Sequence, residues 1–163
     1  FMFFKAYKNG NTVGLSNFSL HHITSNMGTF YTSEAMFQAF KNKTDKDYVK
    51  QLTTIVNPQT ARNIGKKVKT DPSWDNNQFK IMTDILYLKC VQNREVLSTV
   101  LKSGLRPFVQ HTITDRYWGD GGNGKGHNLL GKAWNVVRNK IYKQFLENKN
   151  IDQNIYQNII KRK

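Results

Sequence analysis

A chain of 163 residues, 38% hydrophobic and 22% charged, is sized and composed like one globular domain able to bury its own core. It contains no apolar run long enough to cross a bilayer, and its single cysteine, Cys90, excludes an internal disulfide and any multi-cysteine zinc site. The formal net charge of +14 would concentrate anionic partners such as DNA or phosphorylated metabolites, but a Lys-rich solvated surface gives the same sum.

Phe3 to Tyr7 reads as a short strand, followed by an Asn9-Gly10 turn and a loop, Gly14 to Phe18. Gly28 to Tyr31 reads as a second extended piece. Thr32 or Ser33 then caps a helix from about Glu34 to Lys43. Thr44 with Asp47 fits a capping box for the next helix. Asn57-Pro58 and Asp71-Pro72 each place an N-cap before a proline at the first helical position, predicting helices over 58–67 and 72–92. Apolar residues at helical spacing between Phe79 and Val91 mark the second of these as the central buried helix, with Cys90 in its core phase. A short helix, Glu95 to Lys102, ends at Gly104. Phe108 to Thr114 alternates weakly, as a strand does. A glycine-rich loop, 119–126, feeds a long amphipathic helix from Leu129 to about Asn148, and a basic helix or tail follows. With no linker or repeat, the expected fold is mainly α (α+β), a single multihelical domain over 1–147 with 148–163 as an appendage. No leader is read ahead of the first strand, so the expected location is cytoplasmic.

Two constellations have chemical potential. Glu34, Gln38 and Lys41 lie at i, i+4 and i+7 and share one helix face, with Met36, Phe37 and Phe40 on the other side. A carboxylate, an amide and an amine on one face make a plausible catalytic set, and the plain alternative is a solvated polar stripe. The second runs from Asp115 to Lys132. Its five glycines between 119 and 126 permit close approach of a ligand. Trp118 offers a stacking face, Asp115 and Asp120 are candidate acids or bases, and the helix start near Asn128 suits a phosphate. Gly119-x-Gly121-x-x-Gly124 matches the dinucleotide-binding pattern by letter, but the strand before it and the helix opening within it are missing, so that reading fails. Trp74 is either a core anchor or a wall of a base pocket. The four histidines show no metal-ligand spacing, and His111 alone is a possible pocket residue.

Taken in order, several segments resemble the NADAR (YbiA-like) family. They are Leu15 to Phe18, Ser33-Glu34 with Phe37-Gln38-Ala39 and Lys41, then Pro58, Ala61-Arg62 and Gly65. Trp74 and Lys89 with Gln92-Asn93 follow. Trp118 to Gly122, Asn128 to Lys132 and Arg138 complete the match. It covers roughly Phe4 to Leu146. The resemblance implies N-glycosidase activity with no metal or cofactor. By position it assigns catalytic roles to Glu34, Lys41 and Asp120. Substrate contacts fall on Asn17, Phe18, Gln38, Trp74, Trp118, Gly119, Gly121, Gly122, Asn128 and Lys132. Lys41 would attack the anomeric carbon, Glu34 or Asp120 would handle protons, and Trp74 and Trp118 would sandwich the base. One branch of the family removes ADP-ribose from guanine in DNA and another hydrolyses phosphoribosylamino intermediates of riboflavin synthesis. A silent ADP-ribose- or NAD-binding module is the non-enzymatic alternative. The net charge favours the DNA substrate.

Overall fold

Buried residues at i, i+3, i+4, i+7 and i+8, apolar but for the lysine at i+7, set the centre of the molecule. In the computed structural model, which describes residues 1–4 and 11–147, Met82, Ile85, Leu86, Lys89 and Cys90 form the buried stripe of helix α4 (Trp74–Gln92). This helix packs on α6 (Leu129–Glu147), whose own buried stripe includes Leu130, Trp134, Val137 and Ile141. Helix α1 (Ser33–Phe40) lies against α4 and is flanked by α2 (Lys46–Thr53) and α3 (Pro58–Gly65). Helix α5 (Arg94–Lys102) closes the far side.

The strands are short accessories to this helical core. β1 (Met2–Phe4) runs parallel to β4 (Phe108–Gln110), pairing Met2 with Phe108 and Phe4 with Gln110. Met2 and Phe4 point inward and Phe3 outward, as a two-residue period requires. β2 (Ile23–Ser25) and β3 (Gly28–Phe30) form an antiparallel hairpin.

The core is tied across long sequence separations by polar side chains. Trp134 is fully buried and its Nε1 donates to the Leu15 carbonyl at 2.9 Å. Arg138 donates to Ser103 Oγ and the Arg106 carbonyl while its guanidinium lies 4.6 Å above the Phe108 ring. Cys90 is buried, and burial pushes its thiol up to about 12, as suits a packing residue.

Several helix starts fall where the capping chemistry put them. Thr32 accepts from Ala35 N and Asn57 accepts from Gln59 N and Thr60 N, with Pro58 beginning α3. Two predicted starts are corrected. Asp45, not Thr44, caps α2, because its Oδ1 takes the Tyr48 N–H while the Thr44 hydroxyl turns to Asn42. Asp71 spends its carboxylate on the N–H and Oγ of Ser73, which makes a turn, so α4 begins at Trp74 rather than Pro72. The strand predicted to reach Thr114 stops at Gln110, because the Thr112 N–H is claimed by Asp120. The turn at Asn9-Gly10, the end of the first strand at Tyr7 and the basic helix or tail from 148 lie outside the described residues.

Candidate active site

The site is built on α1. Tyr31 precedes the Thr32 cap, and the helix then runs for two turns with Ser33 through Ala39 all buried. A helix buried on every side can present polar groups only to an internal cleft. A cleft of about 790 Å³ opens along it, and Glu34, Gln38 and Lys41 all line it. The other walls come from the Ser16–Phe18 loop, from α3 and the start of α4, and from residues 110–115 with Trp118.

Glu34 is only 3% exposed, and its Oε1 receives Gln38 Nε2 at 2.8 Å and Arg62 Nε at 3.1 Å. Two donors, one of them a guanidinium, converge on this one carboxylate oxygen. Arg62 also lies 4.6 Å above the Phe18 ring. The Lys41 ammonium donates to the Gly65 carbonyl at 3.3 Å. Burial pushes the Lys41 amine below its ordinary value. Glu34 opposes that shift, while Arg62 and Lys66 reinforce it. A Cβ at Gly65 would collide with the Gln38 amide, so α3 and α1 approach closely here and any side chain at 65 would displace that amide.

Phe37 departs from the expected face. It lines the cleft, 4.8 Å from Trp74 and 5.3 Å from Trp118 between ring centroids. The two tryptophans and Phe37 therefore form one aromatic wall, with Phe37 touching both indoles.

Behind the opposite wall sits a buried amine. Lys89 has no exposed surface, and its Nζ donates to the Ser16 carbonyl at 2.7 Å and to Ser33 Oγ at 3.2 Å. Ser33 passes the interaction on to Asn17 Oδ1 at 2.9 Å, which sets the amide that lines the cleft. Burial lowers the Lys89 amine to about 7.

The glycine-rich segment is organised differently. Asp120 is buried and does not line the cleft. Its Oδ1 takes the N–H groups of Thr112 and Gly122, and its Oδ2 meets His111 Nδ1 at 2.8 Å. Burial alone would raise this carboxyl, but the bonds from His111, Gly122 and Thr112 outweigh it and hold it below its ordinary value. Asp115 lines the cleft while its Oδ1 takes the N–H groups of Tyr117 and Trp118. Asn128, at φ +51°, clamps β4 by donating to the Phe108 carbonyl and accepting from Gln110 N. The N–H groups of Asn128, Leu129 and Leu130 go to the carbonyls of Gly119, Tyr117 and Trp118, so this end of α6 offers none of the three to a phosphate.

Of the residues singled out in the sequence, the fold brings Asn17, Phe18, Glu34, Gln38, Lys41, Trp74, His111, Asp115 and Trp118 to one cleft. Gly119, Asp120, Gly121, Gly122, Asn128 and Lys132 do not line it. Lys66 does and was not named in the sequence, while Arg62 and Phe37 do and were named there without a role in a cleft. Arg62 and Lys66 stand one helical turn apart, a spacing that could have shown their shared face. A second cavity of about 760 Å³, between the β2–β3 hairpin and α2, is lined by Lys43, Lys46 and Lys50 with no carboxylate among its lining residues.

The NADAR domain model matches residues 2–142. The chain belongs to the NADAR family. It is 35% identical over 129 residues to the N-glycosidase YbiA of Shigella flexneri, covering 77% of this chain and 79% of that one. It is 30% identical to an N-glycosidase of Nostoc punctiforme, covering 77% and 83%. A riboflavin biosynthesis protein of Vibrio vulnificus is 26% identical over 78% of this chain, which spans 35% of that longer protein. The NMR structure of Escherichia coli YbiA superposes with a TM-score of 0.80 at 29% identity, covering 92% of this chain and 90% of that one. No helix among the described residues is long and apolar enough to cross a membrane, and the described residues hold no group of three or more His, Cys, Asp or Glu side chains able to grip a metal ion.

Proposed function

We propose that this NADAR protein is an N-glycosidase that hydrolyses a ribosyl C1–N bond in the α1 cleft, removing ADP-ribose from modified guanine in DNA. The observation that carries the reading is the convergence of a buried, Arg62-paired Glu34 and a burial-lowered Lys41 on one cleft beside an aromatic wall. Cleaving a glycosidic C–N bond builds positive charge on the sugar, and the Glu34 carboxylate is placed to stabilise it. An amine is nucleophilic only when neutral, and desolvation favours that form of Lys41. In this mechanism the Lys41 nitrogen bonds to C1, and the C–N electron pair leaves with the base, which takes up a proton. The sugar ring opens as a proton reaches its ring oxygen, giving a Schiff base. Water then attacks C1, restores the amine and releases the free sugar. The base stacks on the wall of Trp74, Phe37 and Trp118 from one side, since Phe37 already touches both indoles. Arg62 and Lys66 supply cationic donors for the phosphates.

The net charge of +14 supports a polyanionic substrate. The second reading is hydrolysis of a phosphoribosylamino-pyrimidine, and the resemblance to the Vibrio riboflavin biosynthesis protein favours it. The test is to incubate the protein with a DNA oligonucleotide carrying ADP-ribosylated guanine and, separately, with the phosphoribosylamino-pyrimidine. Released ADP-ribose in the first tube is expected. Release of ribose 5-phosphate in the second tube alone would transfer the assignment to the second reading, and release in neither would reject both.

A further inference from the structure

We infer that His111, held by Asp120, is the acid that protonates the departing base. The inference rests on the N-glycosidase reading and names the proton donor that reading leaves open. Glu34 is unsuited to that task, because it is paired with the Arg62 guanidinium and its Oε1 already accepts from both Gln38 and Arg62. Asp120 has no access to the cleft, and its carboxylate is occupied by two backbone N–H groups and the imidazole. Asp115 spends one oxygen on the N–H groups of Tyr117 and Trp118.

His111 differs on each count. It lines the cleft, and imidazole is the side chain that gives and recovers a proton most readily near neutral pH. Its Nδ1 meets Asp120 Oδ2 at 2.8 Å, which fixes the tautomer and neutralises the ring when it carries a second proton. Its ring packs edge-on against Phe3 at 5.7 Å, so two contacts set its orientation. Its Nε2 has no hydrogen-bond partner among the described residues. An oriented imidazole with one nitrogen committed to a buried carboxylate and the other left for substrate is the arrangement used for acid–base transfer.

The step balances simply. As C1–N breaks, its electron pair stays on the base, and the Nε2 proton neutralises it. When water later supplies its oxygen to C1, one of its protons returns to Nε2. Asp120 is a positioning residue in this scheme, acting only through His111.

The test compares two leaving groups. On the N-glycoside that the protein turns over, His111→Ala should lose about 10²–10⁴-fold in kcat, the usual contribution of a positioned acid. Added imidazole should restore part of it, which a merely structural loss would not allow. On a ribosyl 4-nitrophenolate, whose leaving group departs without a proton, His111→Ala should stay within about tenfold of the parent. Asp120→Asn should show the same split between substrates in weaker form. Lys41→Ala should fail on both. Equal losses of His111→Ala on the two leaving groups without imidazole rescue, or kcat within threefold of the parent on the N-glycoside, would overturn the assignment while Lys41→Ala still upholds the glycosidase reading. Failure of the parent protein to release any base would remove the glycosidase reading itself, and this inference with it.

Discussion

Helix α1 and the loop from Asp115 to Asn128 carry comparable sets of polar residues and use them in opposite ways. α1 sends Glu34, Gln38 and Lys41 into the cleft and satisfies its own backbone by helical bonding and the Thr32 cap. The loop has no regular ladder, so its side chains must satisfy the backbone instead. Asp115, Asp120 and Asn128 together take five backbone N–H groups and give one bond to a carbonyl. Irregular backbone consumes polar side chains, and regular backbone frees them for chemistry. What the loop delivers to the cleft is the Trp118 ring and, through Asp120, a fixed His111.

The comparison is broken most severely at α1. Lys41→Ala or Glu34→Gln should each lower turnover by about 10²–10⁴-fold while the melting temperature changes little, as kcat and thermal unfolding measured on the same samples would show. A loss of fold instead of turnover would make α1 merely structural. Asn128→Ala should invert that signature. Removing the clamp on β4 strands the Gln110 N–H and the Phe108 carbonyl and costs about 1–3 kcal/mol in denaturant unfolding, with kcat nearly preserved in the folded fraction. Gly65→Ala joins both effects. The new methyl group pushes on the Gln38 amide, so about 1–3 kcal/mol of overpacking should accompany a fall in activity.

Lys89 sharpens the contrast behind the cleft. Its amine is lowered from 10.5 to about 7 in the fold, so between those values the unfolded chain binds more protons. Stability contributed by this residue therefore rises with pH across that window. The unfolding free energy of the parent relative to Lys89→Met should climb from pH 7 toward pH 10, and a flat difference would contradict the burial. The smallest effect concerns the second basic cavity. If the polyanionic substrate extends there, each of Lys43→Gln, Lys46→Gln and Lys50→Gln should reduce the salt dependence of DNA binding by about 0.9 log units per lost phosphate contact. Unchanged slopes would confine the substrate to the α1 cleft.

Much of the helical frame was legible because it is written locally. Thr32 and Asn57 carry their own capping chemistry, and the period of Met82, Ile85 and Leu86 needs no partner to be read. The errors came where neighbouring residues compete for one role. Asp45 outbid Thr44 for the Tyr48 N–H, and Asp71 turned to Ser73 instead of capping a helix at Pro72. Gly28 to Tyr31 was read as extended and forms β3, but β2 and its pairing with β3 went unread because Ile23–Ser25 holds too little alternation to detect. At the site, the face shared by Glu34, Gln38 and Lys41 followed from helical spacing, but its burial did not. That depends on α3 and α4 covering the face, as does the ion pair with Arg62, while the placement of Phe37 between two indoles also needs Trp118 from the loop after β4. Lys89 was hidden for the same reason, since a lysine gives no sign in sequence that Ser16 and Ser33 will receive it in the core.

The claim that α1 is where the bond is cut is tested most directly by trapping. Borohydride added during turnover should reduce the Schiff base and leave the sugar covalently attached, with peptide mass mapping placing it on Lys41. Attachment at another lysine, or an unmodified protein after many turnovers, would contradict the mechanism built on this cleft.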